Sequence, residues 1–182
     1  MKLLFCFSMY ISKKALRKHF DPRVYPHETY LLCHLQWGGS DRCWIHWLRN
    51  THDLHAEEFF LEEIFEPRSY NFCTITWYLS YSPCWRCCDA IQDFLERQPN
   101  VEINIHVARL FYSDSPENRR ALRELHSLPR VNYLASVSLD YSYCWKTFLQ
   151  RGDNCGISPK GFEFEIQRNR LRLENILMVS TL

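Results

Sequence analysis

Three side chains that bind borderline-soft metals and one carboxylate stand close together in this 182-residue chain. They are His55-Ala56-Glu57, then, after a gap of 25 residues, Pro83-Cys84-Trp85-Arg86-Cys87. One imidazole and two thiolates are ligands that zinc favours, and three protein ligands leave a fourth tetrahedral position open to water. An ion with an open position lowers the pKa of its water to about 7 and makes a nucleophile at neutral pH. Glu57, two residues after the histidine, is then placed to take and return protons. The chemistry expected is hydrolysis, with activated water attacking an electrophilic carbon and a carboxylate serving the leaving group.

Cys84 and Cys87 lie three apart, share one face of a helix and can converge on one ion. A helix start also favours thiolates. Cys88 is turned about 100° away and reads as packing. A lone C-x-x-C also serves as a structural zinc knuckle or a redox pair. A structural site would need a fourth protein ligand, for which His52 is the best candidate, although it falls in a loop. A thioredoxin-like redox pair would want a different order of elements. The combined order H-x-E…P-C-x-x-C is the signature of zinc-dependent base deamination, in which attack at C4 of cytosine yields uracil.

The elements that must position these residues follow from periodicity. A helix is expected over 8–20, with Tyr10, Ile11, Leu16 and Phe20 inward, and is ended by Asp21-Pro22. Strands are expected over 29–37 and 42–48, joined by a hairpin turn at Gly38-Gly39-Ser40-Asp41. A helix starts at His55 with Ala56, Phe59, Phe60 and Ile64 inward and Glu58, Glu62 and Glu63 outward, and stops at Pro67. Further strands are expected over 72–79, 101–110 and 131–137, and helices over 84–97, 117–127, 140–151 and 162–177. Two leading strands and then alternating strands and helices give an α/β fold, an α/β/α sandwich with a five-stranded mixed sheet and about six helices. One domain over 1–182 is expected, with 1–20 an N-terminal helix or variable extension, 22–150 the core and 162–178 a closing helix.

Composition narrows the classes. Hydrophobic residues make up 46% and glycines number 5, which excludes disordered and collagen-like chains. Net charge is +1, so nucleic-acid contacts must come from local clusters. Two clusters exist, Lys13-Lys14-Arg17-Lys18-His19-Arg23 and Arg168-Arg170-Arg172. Each reads as a solvated helix face or, together, as the flanks of a substrate groove. Nine cysteines, an odd number without paired spacing, point to a reducing compartment, with Cys33, Cys43 and Cys73 as core residues. The apolar run after Met1-Lys2 lacks a cleavage site and is too short to span a membrane; no membrane partner is expected.

The runs ETYLLCHLQWGG, HAEEFF, CTITWYLSYSPCW, ARLFYSDSPENRRALREL and YSYCWKTF resemble the AID/APOBEC family of polynucleotide cytidine deaminases over Pro22 to Phe148. Within it they are most similar to the apolipoprotein-B mRNA-editing branch. The resemblance implies C-to-U deamination of single-stranded DNA or RNA, with zinc on His55, Cys84 and Cys87 and Glu57 as acid and base. It implies substrate contacts from His27, Thr29, Asn50, Ala56, Tyr81, Ser82, Phe111 and Tyr112. Of these, Asn50 meets the sugar, Thr29 the base, and Phe111 and Tyr112 the nucleotide 5′ of the target. Tyr81 stands where the family usually has a stacking tryptophan, a smaller ring expected to retain but alter activity. The implied partners are the polynucleotide, an RNA-binding auxiliary protein and a second copy in a homodimer, in cytoplasm and nucleus. The editing branch usually continues into a hydrophobic segment beyond the position of Leu182, so single-stranded DNA is the expected substrate ahead of messenger RNA. A free cytidine or deoxycytidylate deaminase and a catalytically inactive zinc-containing RNA-binding module are the alternatives. Antiviral restriction, genome mutation and transcript editing all remain open.

Overall fold

Alternation along the strands decides the layers, because successive side chains of a strand point to opposite faces. In the computed structural model, which describes residues 9–38, 43–67, 71–133, 141–149 and 161–178, five strands form one sheet in the order β2-β1-β3-β4-β5. The strands are β1 (Tyr30–Trp37), β2 (Cys43–Arg49), β3 (Cys73–Leu79), β4 (Val101–Val107) and β5 (Val131–Tyr133). β1 runs antiparallel to β2 and β3, while β3, β4 and β5 are mutually parallel. Leu31, Cys33, Cys73, Ile75, Trp77, Leu79, Ile103 and Ile105 face one side and are all fully buried. Tyr30, Leu32 and Tyr78 face the other.

Helices cover both faces. On the first lie α2 (Ala56–Phe59, continued as a π-helix over Phe60–Ile64), α3 (Trp85–Arg97) and α4 (Pro116–Ser127). On the second lie α1 (Lys13–Phe20) and α5 (Tyr141–Phe148). α6 (Glu163–Met178) serves both, with Leu173 and Ile176 in the first layer and Ile166 against the second. The expected sandwich of five strands and six helices is what the described residues form. Among them no helix is long and apolar enough to cross a membrane.

Several boundaries differ from expectation, each for a local reason. α1 starts at Lys13 because Ser12, with extended backbone, caps it through Oγ to the Ala15 N–H at 3.2 Å. Tyr10 and Ile11 therefore precede the helix, and Ile11 instead pairs with Leu149. α3 starts at Trp85 with Cys84 as its N-cap, so Pro83 stands before the helix. In the second helix the Phe65 N–H reaches back five residues to Phe60 O at 2.9 Å, widening that turn. Cys33 and Cys73 are buried as expected, but Cys43 is exposed, because β2 is an edge strand paired only with β1. Outside the described residues lie 1–8, 39–42, 68–70, 134–140, 150–160 and 179–182, and with them most of the expected 38–41 turn, the end of the expected fifth strand, Cys6 and Cys155.

Candidate metal and catalytic site

The topology gathers four loops at one end of the sheet. Parallel β3 and β4 both end there, running on into 80–84 and 108–115. Antiparallel β1 starts at that end, and Tyr30 pairs with Arg49, the last residue of β2. The segments 21–29 and 50–55 therefore meet the other two loops. This is the carboxyl end of the parallel strands, where α/β sheets place their sites.

His55 caps α2 and Cys84 caps α3, both with extended backbone, and Cys87 lies one turn further on. His55 Nδ1 is 3.2 Å from Cys87 Sγ and 3.5 Å from Cys84 Sγ, and the two sulfurs are 3.6 Å apart. Tetrahedral zinc, with bonds of about 2.3 Å to sulfur and about 2.0 Å to nitrogen, sets such atoms about 3.5–3.8 Å apart. The observed triangle agrees within a few tenths of an ångström, so these three residues fit zinc as they stand. They are the cluster of metal-binding type found among the described residues. His52 is not part of it; its exposed ring pairs with Asp53. Cys88 packs in the core.

The sulfurs share a hydrogen bond that favours one thiolate beside one thiol. Accepting from Cys87 brings Cys84 down to about 5, while that bond and burial raise Cys87. Glu57, in the first turn of α2, is 3% exposed, and burial pushes its carboxyl up to about 7. A carboxyl so placed takes and gives protons near neutral pH. Glu58, expected on the outer face, is turned inward. As the third residue of the helix its carboxylate reaches back to accept the His55 N–H at 3.2 Å, and it pairs with Arg86 at 3.6 Å. That contact fixes the backbone of His55.

The expected substrate residues lie in the loops gathered at this end and at the start of α2. Asn50 Oδ1 accepts the Thr29 N–H at 2.9 Å, and the Asn50 N–H donates to Thr29 O at 3.1 Å, which ties the ends of β1 and β2 together. The amide nitrogen of Asn50 is left as its side-chain donor. His27 is exposed beside them. Tyr81 is half-buried, donates its hydroxyl to Pro26 O at 2.9 Å and meets Phe111 edge-on at 6.2 Å. Tyr112 is 73% exposed and takes a φ of 39°, the left-handed region that a non-glycine residue seldom adopts. Two of the expected residues are not open to a substrate through their side chains. Ala56 is fully buried in the core, leaving only its backbone at the start of α2. Ser82 is 3% exposed and its hydroxyl accepts the Phe111 N–H at 2.9 Å, so it holds the loop.

Two further residues assemble this side. Arg109 is fully buried without a carboxylate partner among the described residues, and its guanidinium donates to four backbone carbonyls: Ser80 at 3.0 Å, Asp21 at 2.8 Å, Val24 and His19. Its carbon lies 4.4 Å from the centre of the Tyr81 ring. Asn118, on α4, accepts the Trp85 N–H at 2.9 Å and donates to the carbonyls of Phe111 and Tyr112. The sequence carried one signal for Arg109, a guanidinium directly after the apolar alternation of β4. For Asn118 it carried only a polar residue near a helix start.

A family model described as an APOBEC4-like AID/APOBEC deaminase matches residues 19–151, a stretch that holds every residue of the site. Curated relatives bear the name C->U-editing enzyme APOBEC-1. The rat protein is 40% identical over 133 residues, the mouse protein 41% and the human protein 38%. The aligned part is 71% of this chain and 57% of the rat and mouse proteins or 56% of the human one, so the chain spans little more than half the length of these relatives. A match over most of the chain, with the His55–Cys84–Cys87 triangle and the buried carboxyl inside it, identifies the chain as a member of the AID/APOBEC deaminase family.

Proposed function

We propose that this protein is a zinc-dependent hydrolase that converts cytosine to uracil in single-stranded DNA or RNA. The observation that carries the reading is Glu57, a buried carboxyl in the first turn of α2, beside a zinc-sized triangle of His55, Cys84 and Cys87. When bound there, zinc supplies Lewis acidity toward a water molecule. Glu57 takes a proton from the water that attacks C4, carries it to N3, and then returns a proton to the amino group as it leaves. Cytosine and water become uracil and ammonia, with the water oxygen retained at C4. Tyr81, edge-on to Phe111, offers a ring for the extruded base, and such stacking is worth about 1–3 kcal/mol per base. The Asn50 amide and Thr29 face the sugar and the base edge.

Single-stranded substrates suit this reading, because a base must leave its stack to reach a zinc held by the buried Cys84 and Cys87. The relatives' name, C->U-editing, supports the same chemistry. An RNA-binding auxiliary protein, a homodimer and residence in cytoplasm and nucleus belong to the same reading and are tested by co-purification, sedimentation and imaging.

The deciding experiment measures C-to-U conversion on a fluorescent single-stranded oligonucleotide with one cytosine, for the native chain and Glu57→Ala. Conversion is expected only in the native chain, with zinc bound by both. Turnover confined to free cytidine would make the protein a nucleoside deaminase. Zinc binding without turnover of DNA, RNA or cytidine would make it a binding module.

A further inference from the structure

The two basic clusters differ in their partners. On α6 every arginine is paired: Arg168 with Glu165 at 2.7 Å, Arg170 with Glu174 at 2.9 Å and Arg172 with Asp114 at 3.1 Å. On α1 none of Lys13, Lys14, Arg17 and Lys18 has a carboxylate partner among the described residues. These four line an open groove of about 910 Å³ together with Asp21, Val24, Tyr25 and Pro26. Asp21 adds little negative field, because Arg23 grips its carboxylate at 2.7 Å and 2.9 Å. Four unpaired cations on one wall, with a compensated acid on the floor, make a surface complementary to a polyanion.

The groove is continuous with the site. Its last lining residue, Pro26, accepts the hydroxyl of Tyr81 and directly precedes His27. Tyr25 is 60% exposed and accepts a hydrogen bond from Arg168 at 3.1 Å, which steadies its ring at the groove's edge. α1 is about 12 Å long, enough for a few nucleotides of extended strand.

We propose that this groove carries the sugar–phosphate backbone of the substrate strand beyond the target nucleotide, with Tyr25 as a base-stacking post. The inference deepens the polynucleotide reading and rests on it. It assigns a second contact surface to α1 and denies one to α6. Phosphate contacts are independent of sequence and position the strand, so α1 governs affinity and salt dependence while the loops at the metal govern choice of base.

The experiment compares the native chain, a variant with Lys13, Lys14, Arg17 and Lys18 all changed to Gln, and a control with Arg170→Gln and Arg172→Gln. Binding is read by fluorescence anisotropy across salt concentrations, on DNA and RNA strands of about 5 and about 30 nucleotides centred on one cytosine. A single strand releases about 0.7 counterions per phosphate neutralised, so the fourfold variant should lower the salt slope on the long strand by about 2–3. Its affinity for that strand should fall at least about tenfold at low salt, and the advantage of long over short strands should shrink. The α6 control should stay within about twofold of the native chain. Unchanged affinity and slope in the fourfold variant, or an equal loss in the control, would overturn the assignment, as would no binding at all by the native chain. Because binding needs no turnover, α1-dependent binding by a chain that deaminates nothing would support the groove and refute only the catalytic reading. Loss on RNA but not DNA, or the reverse, supports the groove and names the strand it takes.

Discussion

The two walls of the site are held by different means. On the metal wall, His55, Cys84 and Cys87 are fixed by the starts of two helices, each within a turn of its cap. On the wall proposed for the nucleotide, Thr29, Asn50, Tyr81 and Phe111 sit on loops far apart in sequence and are joined by hydrogen bonds to backbone. Arg109 ties segments 85 to 90 residues away, and Asn118 and Ser82 secure the loop after β4. Local geometry builds the first wall and tertiary contacts the second, so changes to each should fail differently. The largest effect is expected on the metal wall: Cys87→Ala removes one of three ligands and should abolish both bound zinc and deamination. Zinc content by atomic emission, read beside turnover, checks this. A Cys87→Ala protein that keeps stoichiometric zinc would mean another residue completes the site.

Arg109 gives the sharper comparison. Removing its side chain takes a donor from four carbonyls, those of Ser80 and His19 in buried contacts and those of Asp21 and Val24 in part-buried ones, at about 1–3 kcal/mol for each buried one left unsatisfied, so Arg109→Ala is expected to be severely destabilised. Arg109→Lys keeps the charge and loses the planar fork, so it holds fewer of the four carbonyls. This protein should bind zinc as the native chain does, with a KM raised about tenfold, or about 1.4 kcal/mol, and a kcat changed less than about threefold. That split marks a positioning residue for the substrate loops. Loss of zinc in Arg109→Lys would show that the two walls are mechanically one.

The same division explains what could be read from the chain before folding. Ligand spacing, helical periodicity and strand alternation are short-range patterns, and they foretold the sandwich, the sheet and the convergence of His55, Cys84 and Cys87. Long-range contacts were not legible. Glu58 carries the charge of a solvent-facing residue, yet capping turns it inward. Cys43 has the pattern of a core strand, yet its strand lies at the edge. Ser82 and Ala56 sit inside the motifs, but burial commits one hydroxyl to the Phe111 N–H and one methyl to the core. Of the carboxylates that pair the α6 arginines, Glu165 and Glu174 lie one helical turn away and stand in the sequence, whereas only the fold brings Asp114 to Arg172.

The smallest effect, that of Tyr81→Phe, belongs to a side chain whose two functions can be separated. Its hydroxyl holds Pro26 O, and its ring lies between the Arg109 guanidinium and the edge of Phe111. Tyr81→Phe removes only the hydrogen bond and should cost about 0.5–1.5 kcal/mol of stability, with turnover within about threefold of native. Tyr81→Ala also removes the stacking ring, whose worth of about 1–3 kcal/mol per base predicts a KM about 5- to 150-fold higher on single-stranded substrate. Melting curves and steady-state kinetics on the same preparations distinguish the two. If Tyr81→Phe lost as much affinity as Tyr81→Ala, the loop tied through Pro26 would matter more than the ring. The nucleotide wall would then depend on the placement of 21–29 rather than on stacking.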